Sequence, residues 1–151
     1  MITMEWTSDL DTGIPVIDAQ HKRIVKYINM LGHANTTSDR EEVEEVLSEL
    51  TDYTLSHFTF EEGLMEESGY ACIAAHKKVH QSFVHTIANY IKRFRTGEDV
   101  TTELLTTLKS WLVNHIKGDD ADYSEAVKLY ISRPQEEKSS WFKRSMKKVF
   151  G

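Results

Sequence analysis

Two pairs of metal-ligand side chains stand four residues apart in this chain: His57 with Glu61, and His76 with His80. Four residues turn an α-helix through about 400°, so the members of each pair lie within about 40° on one face. A helix that displays two donors this way can fill two positions around one metal ion. His21 and His115 supply further imidazoles, and Asp119 and Asp120 follow soon after His115. Imidazoles and carboxylates without thiolates suit iron, manganese or zinc rather than calcium or magnesium. The single Cys72 excludes a thiolate cluster and any intramolecular disulfide. The Glu-x-x-His pattern of carboxylate-rich di-iron bundles is absent, because the position three before each of the five histidines holds Asp18, Thr54, Ile73, Lys77 or Leu112. The His-Glu-x-x-His pattern of zinc proteases is absent too. No nucleophile, general acid or substrate pocket stands out, so a ligand-binding metal protein is expected rather than an enzyme.

For these donors to meet, the elements that carry them must lie side by side. Ile17, Ile24, Val25, Ile28 and Leu31 recur at helical spacing and predict a helix over residues 17–33. Asn35 to Ser38 reads as a loop. Ser38 with Glu41 reads as a capping box that opens a second helix. Val43, Val46, Leu47, Leu50, Tyr53, Leu55, Phe58 and Leu64 carry it to about Glu66. Gly63 within it costs ~1 kcal/mol relative to Ala, which points to a crowded contact there. A third helix is predicted from Cys72 to Phe94, with Val79, Phe83, Ile87, Tyr90, Ile91 and Phe94 on one face and Gly97 as its stop. Asp99 is expected to cap a fourth, through Leu104, Leu105, Leu108, Trp111, Leu112 and Ile116. Gly118 disturbs that helix, and Ala126 to Ile131 is helical again.

Residues 1–16, broken by Asp9, Asp11, Gly13 and Pro15, read as an extended arm. The pattern therefore predicts an all-α fold, an antiparallel up-down four-helix bundle with an N-terminal extended arm and a short C-terminal fifth helix. In such a bundle, a residue early in the first helix sits level with one late in the second, early in the third and late in the fourth. His21, His57 with Glu61, His76 with His80, and His115 with Asp119 and Asp120 all meet that condition. His33 and His85 fall away from this level and read as ordinary histidines.

A chain of 151 residues, 40% hydrophobic and 28% charged, is one globular domain with a sizeable core. The net charge of −6 is unevenly spread: residues 133–151 carry +4 and residues 1–132 carry −10. The acidic body argues against nucleic acid as a partner. Residues 1–132 are read as the bundle and residues 133–151 as a basic amphipathic tail. The first residues show neither the basic nor the apolar region of a secretory signal. No run reaches the ~18 apolar residues of a membrane span. The expected location is cytoplasmic.

Taken together, the motifs resemble the hemerythrin family, and closely its single-domain bacterial members. They are Asp18-Ala19-Gln20-His21, His57 to Glu62 with Met65 and Tyr70, His76-Lys77-Lys78-Val79-His80, and Trp111 to Ile116 with Asp120. The resemblance spans about residues 4–131, and the tail lies outside it. It implies reversible binding of dioxygen, for transport, storage or delivery, at two iron ions joined by an oxo or hydroxo bridge. On that resemblance His76, His80 and His115 hold one iron, His21 and His57 the other, and Glu61 and Asp120 bridge them. One coordination position is then left open, on the iron of His21 and His57. A regular helix instead favours Asp119, at i+4 from His115, and turns Asp120 about 140° away. The family match is to Asp120, and Gly118 offers a place for the needed distortion. Ile24, Trp111, Leu112 and Ile116 match family positions around the dioxygen pocket, and are equally ordinary bundle core. A sensor acting through a partner, and a di-iron enzyme with peroxidase-like or NO-reducing activity, are the alternatives.

The tail from Lys138 to Phe150 is a separate problem. On a helical wheel Trp141, Phe142, Met146, Val149 and Phe150 face away from Lys143, Arg144, Lys147 and Lys148. That pattern suits a helix lying on a membrane surface, but an apolar stripe is more often packed on the bundle or on another protein than laid on a membrane. The sequence leaves the oligomeric state open.

Overall fold

The computed structural model describes residues 3–150, with the side chains of residues 3–148. Among the described residues six α-helices follow in order: α1 (Pro15–Thr37), α2 (Arg40–Ser68), α3 (Ile73–Arg95), α4 (Thr101–His115), α5 (Ala121–Ile131) and α6 (Ser140–Phe150). A π-helical turn, Ile116–Asp120, joins α4 to α5 in helical backbone throughout, so these two form one rod. The long rods pack in a ring: α1 on α2, α2 on α3, α3 on α4, and α4 back on α1. This is the expected four-helix bundle. The arm holds one 3-10 turn, Ser8–Leu10, and buries Met4, Leu10 and Ile14. Asp18 ties the arm to α1 by accepting hydrogen bonds from the Thr12 amide at 2.8 Å and the Thr12 hydroxyl at 2.7 Å.

Several boundaries differ from expectation. Helix α1 runs on to Thr37, and Ser38 closes it in the left-handed region at φ 57°. The cap of α2 is therefore Asp39, whose carboxylate accepts from the Glu41 and Glu42 amides. An aspartate one residue later does the work expected of Ser38. At the start of α4 the cap position belongs to Val100, not Asp99. Val100 is buried in the core while Asp99 stays exposed, so apolar burial outweighs a side-chain cap there. Leu55, one of the apolar positions that mark α2 in the sequence, is 41% exposed.

The core has two apolar clusters. The larger includes Ile24, Ile28, Leu47, Phe58, Phe83, Leu108, Leu112 and Ile116. The smaller gathers Ile14, Ile17, Leu64, Met65, Tyr123, Val127, Tyr130 and Phe142. Phe142 belongs to α6, so the tail packs on the bundle. Tyr130 meets it edge-on at 5.2 Å and accepts a hydrogen bond from the Ser139 amide at 3.0 Å. The crowded contact expected at Gly63 is with Trp141 of α6: a Cβ at Gly63 would lie 2.4 Å from Trp141 Cζ2. Lys143, Arg144, Lys147 and Lys148 face outward and are exposed. Val149 and Phe150, the other apolar residues expected on the wheel, have side chains outside the described set.

Candidate metal centre

Between the two apolar clusters lies a polar layer. His21 comes from α1, His57 and Glu61 from α2, His76 and His80 from α3, His115 from the end of α4, and Asp120 from the π-turn. All seven are buried. They form two groups that share one carboxylate: Glu61, His76, His80, His115 and Asp120 in the first, and His21, His57 and Glu61 in the second. In the first, His80 Nε2 lies 3.1 Å from both His76 Nε2 and His115 Nε2. Glu61 directs Oε1 to this group, 3.1 Å from His76 and 2.9 Å from His80. Its other oxygen, Oε2, faces His57 Nε2 at 3.3 Å and His21 Nε2 at 3.8 Å. Asp120 divides in the same way. Oδ1 lies 3.1 Å from His115 and 3.2 Å from His76, and Oδ2 lies 3.1 Å from His21.

The donor set fits a pair of cations. His21 Nε2, His57 Nε2 and both Asp120 oxygens are buried, yet among the described residues none has a partner in hydrogen-bond alignment. Each unsatisfied buried group costs about 1–3 kcal/mol, more when charged. Lone pairs that converge without aligning on one another are what a metal ion requires, since its ligands point at a common centre. The protein without metal must bind protons there instead. Burial opposes charge on His21, His76 and His115, but the attraction of the Asp120 and Glu61 carboxylates close by outweighs it and raises them to about 9, 9 and 10. Burial prevails at His57 and lowers it. Burial pushes Glu61 and Asp120 up, and the surrounding imidazoles overcome it and hold both below the usual carboxylate range.

The two neighbouring aspartates have different places. The π-turn advances the chain by one residue per turn more than an α-helix, so it brings the i+5 residue back to the face of His115. Asp120 thereby enters the layer. Asp119, at i+4, sits behind His115 and accepts from its Nδ1–H at 2.9 Å. The regular wheel that favoured Asp119 as the inward donor fails because the helix is not regular there.

Other imidazoles have similar support. His80 Nδ1 meets Glu62 Oε2 at 3.1 Å, and His57 Nδ1 meets Gln20 Oε1 at 2.6 Å. Tyr123 donates to Glu61 Oε2 at 2.9 Å. Burial and the charge of Glu61 raise the Tyr123 hydroxyl well above its ordinary range, so it stays a donor. Sequence reasoning missed Glu62 and Tyr123 as members of this network. Their only signal was helical position, one residue after Glu61 and three after Asp120. Of the expected pocket residues, Ile24, Leu112 and Ile116 are buried together in the larger cluster. Trp111 is partly exposed and stacks on His115 at 4.3 Å and on Phe83 at 3.7 Å. Phe58 stacks on His80 at 3.8 Å. His33 and His85 are exposed and away from the layer.

Residues 12–127 match the hemerythrin HHE cation binding domain. A bacteriohemerythrin of Stenotrophomonas maltophilia is 48% identical, and one of Pseudomonas aeruginosa 50% identical, each over the whole of both chains. A bacteriohemerythrin of Methylococcus capsulatus is 38% identical over 84% of this chain and 98% of its own. A wild-type hemerythrin crystal structure superposes with a TM-score of 0.79 at 35% identity, covering 83% of this chain and 98% of that one.

Proposed function

The chain belongs to the hemerythrin family, and from that premise we propose how its own residues divide the work. The protein binds dioxygen at a non-heme di-iron centre. His76, His80 and His115 hold one iron, His21 and His57 hold the other, and Glu61 and Asp120 bridge the pair. The observation that carries this assignment is the split of both carboxylates, each with one oxygen toward each group of imidazoles. When bound, the two irons would supply the electrons for reversible dioxygen binding.

The protein residues hold and isolate that pair. Asp119, Glu62 and Gln20 accept from the outer nitrogens of His115, His80 and His57, which fixes the tautomer that leaves Nε2 free to bind metal. Ile24, Leu112, Ile116 and Trp111 form the apolar wall of the dioxygen pocket and keep water and protons away. That wall favours release of intact dioxygen over its reduction. The role is transport, storage or delivery rather than catalysis, in the cytoplasm. Among the described residues no helix is long and apolar enough to cross a membrane.

Reduction without air, then air, then argon, followed by visible absorption, tests the function. A charge-transfer band that appears with air and fades under argon is expected. A band that never fades, or is replaced by steady turnover, refutes reversible binding.

Residues 133–151 are read as an appended strap on the bundle of residues 1–132. Phe142 is buried and Trp141 fills the notch at Gly63, so these two side chains are turned toward the bundle rather than outward. The outward cations favour an anionic partner. Co-sedimentation with anionic vesicles that falls with salt and disappears on deletion of residues 134–151 identifies that partner as a membrane surface. No binding by the full chain excludes it.

A further inference from the structure

The two groups of imidazoles differ in what stands behind them, a difference that bears on metal binding only on the assignment proposed above. At the three-histidine position, two of the rings back onto carboxylates. His80 Nδ1 meets Glu62 at 3.1 Å and His115 Nδ1 meets Asp119 at 2.9 Å. At the other position His57 backs onto a neutral amide, Gln20, at 2.6 Å. His21 Nδ1 is buried and has no hydrogen-bond partner among the described residues. A carboxylate that accepts the outer N–H makes the imidazole a stronger donor and locks its plane toward the metal. An amide fixes the plane without adding charge, and a ring with no partner is held by packing alone.

We propose that Glu62 and Asp119 are positioning residues that make the three-histidine position the first and tighter of the two to fill. The position of His21 and His57 is then the labile one, which fills last and empties first. The extra imidazole at the first position acts in the same direction, so the carboxylates must be tested by substitution. Glu62 is 26% exposed and Asp119 is 43% exposed, so neither fills the core and both tolerate an amide in place of the acid.

The test is an anaerobic titration of the metal-free full chain with Co2+ alone, read by its visible bands and by competition with a chelator. Two steps are expected for the unaltered chain. Glu62→Gln and Asp119→Asn should each weaken the first step by about tenfold to a hundredfold and leave the second in place. Gln20→Glu should strengthen the second step and narrow the gap from the other side. A single undivided uptake of two ions, or a first step that the amide variants do not move, overturns the proposal. So does an equal fall of both steps, which general loosening would produce. Uptake of fewer than two ions by the unaltered chain overturns the paired-metal assignment itself.

Discussion

Gly63 and Trp141 make an interaction whose sign can be reversed. An ideal Cβ on Gly63 would stand 2.4 Å from Trp141 Cζ2 and 2.5 Å from Cη2, more than 1 Å inside van der Waals contact. Gly63→Ala must therefore lift Trp141 off α2 or strain α6. Overpacking of this kind costs about 1–3 kcal/mol. The same substitution improves the helix by about 1 kcal/mol, since Ala replaces Gly in a helix interior. The sum predicts destabilisation of about 0–2 kcal/mol in the unaltered chain. With Trp141→Ala already in place the clash is gone, and Gly63→Ala should stabilise by about 1 kcal/mol. The coupling energy of the double-mutant cycle is then about 1–3 kcal/mol. Urea or thermal unfolding of the four proteins measures it, and for this length 1 kcal/mol moves Tm by roughly 2–4 °C. If Gly63→Ala has the same effect with and without Trp141, the indole does not occupy the notch and α6 is not docked there.

Two further outcomes follow from the site. Asp120→Ala should abolish the paired-metal absorption, whereas Asp119→Ala should preserve it at saturating iron; the opposite result would restore the regular-helix reading of residues 115–120. The metal-free protein should lose stability as pH rises through about 9 to 10, where His21, His76 and His115 give up their protons. Those three are raised above the free value of 6.5, so their contribution is complete below that value and fades above it. Metal affinity should run the other way and climb over the same range, because the ion displaces those protons. Thermal unfolding and metal titration at pH 6, 8 and 10 check both slopes, and parallel slopes would refute the account.

Much of the site was legible because its signal is local. The i,i+4 pairs on α2 and α3 place two donors on one face by helix geometry alone, and the depth argument brings the four helices' donors to one level. Gly63 was legible as a crowded contact for a similar reason, since glycine is costly in mid-helix. What crowds it was not, because Trp141 lies far along the chain and its wheel fits a membrane as well as a bundle. Glu62 and Asp119 look like any polar residue on a solvated helix face, and only the fold shows which ring each one meets. The difference at Ser38 is of another kind. Ser38 and Asp39 both have cap chemistry, and the choice was made by how far α1 could extend.

The π-turn also has a consequence for the rest of the rod. At about 100° per residue, an unbroken helix would turn Tyr123, Val127 and Tyr130 about 80°, 120° and 60° away from the direction of His115. One residue absorbed in the turn brings them to within about 40° of it. Those three side chains are the inward face of α5 and are buried in one cluster with Phe142, which Tyr130 meets edge-on. A single added residue thus sets the phase between the half of the rod that carries His115 and the half that carries the tail's seat. Straightening that turn into regular α-helix with every residue kept would rotate one half against the other by about 100°. It would withdraw Asp120 from the layer and turn the α5 core away from the bundle together, so the extra residue in that turn is keyed to both ends at once.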